Sequence, residues 1–207
     1  MKWLYAFLLT GAACLPHPSL SADFEDLAAI ASAPEAVRRD GPKLILAGKE
    51  KPVELIDGHC LQSSEDRNCL YRFVRYDAPH QASIVHAFFD TEFDTFLWIR
   101  QRDGKITPLP DDPHPSPDGK QFAIVRSCEA MGAFCGLQVW RSDGPELVWE
   151  HRPTAYAVYE FDGWRPGGKI DLKLTTWIDH QLRSEAASLT EDGQGKWTIA
   201  GPAEKSD

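Results

Sequence analysis

Short runs of apolar, β-branched and aromatic residues follow one another from about residue 43 to residue 200. Within Arg72–Tyr76 and Asp171–Leu174, polar and apolar side chains alternate, which is typical of a strand with one solvent-facing side. Asp-Gly pairs, which favour tight hairpin turns, separate the runs. They stand at 57–58, 103–104, 118–119, 143–144, 162–163 and 192–193. The pattern predicts an all-β meander of antiparallel strands over residues 41–202.

In the segment 23–40, which precedes the strands, the apolar residues recur with a helical period instead of alternating. Its apolar residues fall on one helical face: Phe24, Leu27, Ala28 and Ala31. Acidic residues begin the segment and arginines end it, which suits the helix dipole. We therefore expect a short N-terminal helical segment, broken or kinked near Pro34. At the other end of the chain, residues 203–207 are expected to form a flexible tail.

The first 22 residues read as a secretory signal peptide. Lys2 precedes the apolar run Trp3–Cys14, and the small residues of Ser19–Ala22 follow it. The run is too short to span a bilayer, so no transmembrane segment is expected. Gly11 stands three residues before Cys14, where a lipoprotein signal usually has an aliphatic residue. The sequence therefore favours cleavage near Ser21 or Ala22 over a lipid anchor at Cys14, and predicts a periplasmic or secreted protein.

Four cysteines remain after residue 22, and they fall into two close pairs: Cys60 with Cys69 and Cys128 with Cys135. An even number of cysteines in an exported chain indicates disulfides. Four cysteines permit three pairings, of which the local one orders the least chain. A four-thiolate metal site usually has two to four residues within each pair. The spacing here is wider, so two local disulfides are expected.

The net charge of the chain favours some classes of partner and argues against others. The chain has 31 acidic and 22 basic residues, a net charge of −9, and Lys2 is the only charged side chain in residues 1–22, so the exported part has −10. The chain contains no Lys- or Arg-rich run. This balance argues against nucleic acid or an anionic membrane as partner and favours a cationic or neutral one.

The stretch Asp112–Val125 (DPHPSPDGKQFAIV) resembles the SPDG-containing repeat of TolB-like and WD40-like β-propeller proteins. In that repeat the motif opens a strand, and a second strand similar to Leu137–Trp140 follows and ends in a turn like Asp143-Gly144. The resemblance covers about residues 95–150. It implies a small or incomplete β-propeller of three to four blades, with a β-sandwich or barrel as the alternative. It implies a tendency to bind partners and carries over no catalytic residue.

Linear motifs of catalysis are absent from the sequence: it has no GxSxG, HExxH, GxGxxG, phosphate-binding loop or EF-hand loop. Four loop carboxylates form the most suggestive polar group: Asp90, Asp94, Asp111 and Asp112. Carboxylates of two adjacent loops are able to hold Ca²⁺ or to act as an acid and base on a glycosidic bond. They also simply keep an acidic protein soluble. No cofactor other than calcium is expected.

The loop between Cys128 and Cys135 is the candidate partner-binding site, with Glu129, Met131 and Phe134 as its residues. A disulfide would make this tip rigid, and a rigid apolar tip loses little conformational entropy on binding. The alternative is that Phe134 folds inward and caps the core.

These observations predict a non-catalytic binding protein of the bacterial cell envelope that recognises another protein. In its sharper form it is an inhibitor or immunity-type protein against a basic hydrolase or toxin, since a net charge of −10 attracts a cationic enzyme. The alternatives are a hydrolase of glycans or peptides that uses the loop carboxylates, and a module that binds calcium or a small ligand.

Overall fold

The computed structural model describes residues 23–61, 69–89, 94–127, 134–153, 157–178 and 181–202. In these ranges the chain forms one helix, α1 (Asp23–Ser32), followed by strands β1 to β15. The strands are β1 (Val37–Asp40), β2 (Lys43–Leu46), β3 (Val53–Ile56), β4 (Cys69–Asp77), β5 (Ala82–Phe89), β6 (Asp94–Arg100), β7 (Ile106–Leu109), β8 (His114–Pro115), β9 (Gln121–Arg126), β10 (Gly136–Arg141), β11 (Glu146–His151), β12 (Ala157–Arg165), β13 (Lys169–Ile178), β14 (Gln181–Glu191) and β15 (Trp197–Ala200).

The strands form four antiparallel sheets in chain order, which we call sheet 1 (β1–β3), sheet 2 (β4–β7), sheet 3 (β8–β11) and sheet 4 (β12–β15). Within each sheet every strand pairs with its neighbours along the chain. The predicted all-β meander with a short N-terminal helix is therefore confirmed. Four separate sheets replace the two of a sandwich or the one of a barrel, and over the described ranges they do not close into a propeller ring.

The N-terminal helix is shorter than the expected segment 23–40. It ends at Ser32, and Val37–Asp40 form β1 instead, paired with β2. Pro34 explains the difference, because proline disfavours helical backbone in the residue before it and cannot donate a hydrogen bond. A turn follows, in which the amide of Ala36 donates to the carbonyl of Ala33 at 2.9 Å.

Buried hydrophobic residues form three clusters, each of which joins two consecutive sheets. Leu44 and Leu55 of sheet 1 pack with Phe73 and Val85 of sheet 2. Sheets 2 and 3 meet through a cluster that contains Trp98 and Phe122. Sheets 3 and 4 meet through a cluster that includes Ala123, Leu137, Val139, Tyr159, Leu172 and Leu189. Sheets 2 and 3 are therefore covered on both faces, which explains the nearly continuous apolar runs of β5 and β9.

Sheet 4 has a polar outer face. Along β13 the buried residues Ile170, Leu172 and Leu174 alternate with charged ones. On the outer side, Lys173 lies 2.9 Å from Glu160, and Lys169 lies 3.1 Å from Asp171. This face needs no further sheet to cover it. Over the described ranges, no helix is both long and apolar enough to cross a membrane.

The two ends of the sheets differ. At one end, which we call the turn end, tight turns join the strands at 78–81, 101–105, 116–120, 142–145 and 166–168. At the opposite end, which we call the loop end, lie the last residues of β5, β9 and β13 and the first of β6, β10 and β14. The contact between Arg126 and Asp94 shows that sheets 2 and 3 share this end.

The SPDG motif forms one of the tight turns, between β8 and β9. The Ser116 hydroxyl donates to Asp118 at 2.8 Å and accepts from the amide of Gln121 at 3.1 Å. Asp118 also accepts from the amide of Lys120 at 3.1 Å. Gly119 has φ of +70°, a conformation that costs glycine little. The motif thus closes the turn and starts β9, as expected.

Candidate functional site

Exposed hydrophobic side chains concentrate at the loop end. Over the described ranges, six large ones are exposed: Leu27, Leu61, Leu70, Leu147, Trp177 and Leu182. Leu61 and Leu70 lie beside the Cys60–Cys69 disulfide, and Trp177 and Leu182 face each other at the end of the β13–β14 hairpin. Four of the six therefore lie at this end, in one apolar pair beside the disulfide at the start of sheet 2 and one on sheet 4. Sheet 3 lies between them.

The disulfide between Cys60 and Cys69 is present, with Cα atoms 5.2 Å apart, and this half of the prediction is confirmed. Cys69 is fully buried at the start of β4 and pairs with Phe89 at the end of β5. The bond therefore fixes Leu61 and Leu70 close to the loop end of sheet 2. Cys135 is also disulfide-bonded, and its expected partner Cys128 lies outside the described residues.

Phe134 is half-buried and lies two residues before the start of β10. The guanidinium of Arg152 lies over its ring, 5.4 Å from the centroid, which is a cation–π geometry. Phe134 is therefore neither part of a fully exposed tip nor buried in the core. The other two candidates of the loop, Glu129 and Met131, lie outside the described residues.

Asp94, a candidate carboxylate at the loop end, is held by two cationic or polar partners. His86 lies with its Nε2 2.7 Å from one carboxylate oxygen, and Arg126 donates to the other at 3.0 Å. The imidazole stacks on Phe96 with centroids 4.3 Å apart, and Arg126 also donates to the carbonyl of Pro110. These contacts join β5, β6 and β9.

Asp111 and Asp112 lie near the same group. Arg75 reaches both oxygens of Asp112, at 2.7 and 2.9 Å, and also donates to the carbonyl of Pro113. A register shift between Phe73 and Arg75 in β4 accompanies this orientation of the arginine. Asp111 forms no such ion pair with another described residue; its Oδ1 accepts the amide of Asp112 at 2.7 Å.

The pKa values of the two neighbouring carboxyls move in opposite directions. Burial acts to raise the pKa of Asp94, but hydrogen bonds from His86 and Arg126 outweigh it, so that this pKa is lowered. Burial raises the pKa of Asp111, and its hydrogen bond from Asp112 and the charge of Arg126 only partly oppose this. Burial also lowers the pKa of His114, which stacks on Phe161.

The contacts of Asp94 and Asp112 mainly link neighbouring strands, rather than provide a reactive centre. Asp94, Asp111 and Asp112 lie near one another, and two of the three, Asp94 and Asp112, are neutralised by arginines from other strands. Over the described ranges, no group of three or more His, Cys, Asp or Glu side chains is placed to hold a metal ion. Asp90, the fourth candidate, lies outside these ranges.

Sequence reasoning missed the partners of the carboxylates, namely His86, Arg126 and Arg75. The signal for His86 was present in the antiparallel pairing of neighbouring strands that the predicted meander implies. In an antiparallel pair, His86 faces Phe96 and lies diagonally from Asp94. Arg126 and Arg75 come from strands of different hairpins, so no local spacing identified them.

We expect substitutions at Asp94 and Asp111 to change stability with opposite signs. The lowered pKa of Asp94 stabilises the fold above the ordinary value of 3.8, and this contribution is lost as pH falls through the folded pKa. The raised pKa of Asp111 has the reverse effect, since its contribution is present at low pH and lost as pH rises through the folded pKa.

Asp94→Asn should therefore lower the free energy of unfolding at pH 7 by about 0.5–1 kcal/mol, a value reduced for solvent screening of a side chain that is one-third exposed. Asp111→Asn keeps the Oδ1 acceptor and should be neutral or stabilising at pH 7. Urea unfolding at pH 7, 5 and 3 measures both, and the difference between the variants should shrink below pH 4. A loss of stability of equal size in both variants at pH 7 would contradict the assignment.

Comparison with known proteins places the chain in no family. No protein-family model matches it, and no curated protein and no solved structure shows a significant match.

Proposed function

We propose that the protein is a non-catalytic binding protein of the bacterial cell envelope that recognises another protein through its loop end. The observation that carries the proposal is the gathering of Leu61, Leu70, Trp177 and Leu182 at this end. Exposed apolar groups rimmed by polar residues are typical of protein interaction surfaces, and in this proposal one partner contacts both pairs across the end of sheet 3. Tryptophan is the residue most enriched among those that dominate binding energy.

The surface is also held rigid, which favours recognition. The disulfide fixes the position of Leu61 and Leu70, and the contacts of Asp94 connect the loop ends of sheets 2 and 3. A preorganised surface loses less conformational entropy when a partner binds. In this proposal, Phe134 is part of the same surface and lies between the two apolar pairs.

The nature of the partner follows from charge. The net charge of −10 after residue 22 attracts a cationic protein and speeds association at low salt. The sharper proposal is an inhibitor or immunity-type role against a basic hydrolase or toxin. Export by the signal peptide in residues 1–22 is part of the same proposal, and a structural disulfide agrees with an oxidising compartment.

We also propose that the four sheets are blades related to the TolB-like and WD40-like propeller repeat. The turn geometry of Ser116 and Asp118 supports this, as do four meander sheets in chain order. In this proposal the blades form an open series that ends at the polar face of sheet 4.

Capture of a partner by residues 23–207, expressed with disulfides intact, tests the function. Envelope extract of the producing bacterium and secretions of competitors are the sources, and any captured protein is then purified and titrated. Trp177→Glu should weaken its binding by about 30-fold or more, as expected for an interface tryptophan. Binding should also weaken as ionic strength rises.

Leu147→Glu is the matched control, because Leu147 is as exposed as Trp177 and lies near the turn at 142–145. This variant should bind like the unchanged protein. Circular dichroism and melting temperature show whether each variant is folded. Equal binding by the folded Trp177→Glu protein, or an equal loss with Leu147→Glu, would contradict a loop-end interface.

A further inference from the structure

The turn end carries a cavity that the proposed partner surface does not use. It has a volume of about 290 Å³ and lies between sheets 2 and 3. His80, Arg100 and Ser142 line it, together with Arg102, Gly119 and Asp143. The volume is near the lower limit of small-molecule pockets. The cavity is therefore suited to a ligand of a few to about a dozen heavy atoms.

Two lining residues carry a buried donor without a hydrogen-bond partner, Nε of Arg100 and the hydroxyl of Ser142. The indole Nε1 of Trp98, whose ring packs on the lining residue His80, is a third such donor. Ser142 is 3% exposed and Trp98 fully buried. Buried polar groups in folded proteins nearly always have partners, so an unpaired set calls for an explanation. Two of these groups can only donate. Nε of Arg100 and the hydroxyl of Ser142, which both belong to lining residues, therefore have no acceptor within the protein.

Two arginines, Arg100 and Arg102, and one carboxylate, Asp143, line the cavity. Arg100 donates from one terminal nitrogen to Asp103 at 2.6 Å, which leaves its Nε unpaired. Arg102 lies 3.4 Å from Asp143, but both side chains are more than half exposed, so solvent screens this pair. An arginine with a free edge and a nearby hydroxyl is a common arrangement for binding carboxylate or phosphate groups.

Neighbouring contacts hold the cavity in shape. The Nε2 of His80 contacts the carbonyl oxygen of Gly119 in the SPDG turn, and its Nδ1 lies 2.8 Å from Asp77. Trp98 packs against the same imidazole, with ring centroids 5.5 Å apart. The ring thus links β4, β6 and the turn before β9, and a bound group would meet a preformed wall.

We propose that this cavity binds a small oxyanion, the carboxylate or phosphate group of a small molecule, through Arg100 and Ser142. The site lies at the end of the sheets opposite the proposed partner surface, so the molecule would carry two separate binding sites. Either can be present without the other.

The test uses ¹⁵N-labelled residues 23–207, titrated at constant ionic strength with inorganic phosphate and, separately, with succinate. The indole N–H signal of Trp98 and the Nε–H signal of Arg100 report on the site. Saturable shifts of both signals with either probe support the proposal. Saturation by phosphate alone identifies a tetrahedral group as the ligand, and saturation by succinate alone identifies a carboxylate.

Two variants locate the binding. Arg100→Gln and Ser142→Ala should each weaken it about tenfold or more, as expected when a charge-assisted hydrogen bond is lost. The control is Arg141→Gln, since Arg141 is largely exposed and pairs with Glu146 away from the cavity. Without a probe, Ser142→Ala should melt at the same temperature or higher, because it removes an unpaired buried hydroxyl. That variant therefore separates loss of binding from loss of folding.

Two results would overturn the proposal. The first is the absence of a saturable shift with both probes. The second is unchanged affinity in both Arg100→Gln and Ser142→Ala.

Discussion

Arg39→Ala is expected to lower the free energy of unfolding by about 3–5 kcal/mol, the usual cost of leaving a buried charge without its partner. The guanidinium lies between two carboxylates: its Nε is 2.5 Å from Asp26, and a terminal nitrogen is 2.9 Å from Asp57. It also donates to the carbonyl oxygen of Tyr71. Asp26 is almost completely buried in α1, so water cannot replace the lost arginine there.

The effect should be large because the same carboxylates hold the backbone of β4. Asp26 accepts the amide of Phe73 at 2.7 Å, and Asp57 accepts the amide of Tyr71 at 2.9 Å. Arg39 in β1 thus joins the helix and sheet 1 to sheet 2. Without it, two acidic groups remain close together beside the cluster that contains Phe73.

Urea unfolding at pH 7 measures this effect, with Arg38→Ala as the matched control, because Arg38 is the preceding residue of β1 and is exposed. The control should change stability by no more than about 0.5 kcal/mol. In a double-mutant cycle, Asp26→Ala combined with Arg39→Ala should cost less than the two single costs together. A cost for Arg39→Ala as small as that for Arg38→Ala would show that the network contributes nothing.

The contacts of Arg39 also show which features of the fold the sequence alone does not predict. Period-two alternation and Asp-Gly turns depend on neighbouring residues, so they predicted the strands well. Asp57-Gly58 was read as a turn, and it is one. That Asp57 also binds Arg39 depends on contacts 18 residues apart along the chain, and no local pattern contains this information.

One Asp-Gly pair differs from the expectation of a turn between strands. Asp162-Gly163 lies inside β12, where the pairing with β13 shifts register between Phe161 and Gly163. Glycine within a strand often marks such a bulge. Hairpin turns and bulges draw on the same residue types, so the dipeptide alone does not distinguish them.

The candidate sites show the same difference between local patterns, which the sequence reveals, and contacts between distant residues, which it does not. The loop carboxylates Asp94, Asp111 and Asp112 were recognised as a group because they stand in two short segments of the sequence. The cavity at the turn end was not recognised. Its lining residues His80 and Ser142 come from two separate turns and Arg100 from the end of β6, and only the packing of sheet 2 on sheet 3 brings them together.

Phe122→Ala is the second substitution with a large expected effect, a loss of about 3–5 kcal/mol in the free energy of unfolding. The ring of Phe122 is fully buried between sheets 2 and 3. It stacks on Trp98 with centroids 4.8 Å apart and on Trp140 with centroids 6.0 Å apart. Truncation leaves a cavity that the neighbouring indole rings are too rigid to fill.

The same variant tests whether the four sheets unfold together. Each hydrophobic cluster joins only two consecutive sheets, so the hydrophobic coupling of sheets 1 and 2 to sheets 3 and 4 is the stack around Phe122. The polar contacts of Arg126 with Asp94 and of His80 with Gly119 add to it. The unchanged protein should unfold in one transition, detected alike by tryptophan fluorescence and by circular dichroism. Leu147→Ala, at an exposed leucine, should lower stability only slightly. If Phe122→Ala costs no more than this control, the stack does not hold sheets 2 and 3 together. If it instead separates the unfolding into two transitions, the stack is the contact that makes two pairs of sheets into one cooperative unit.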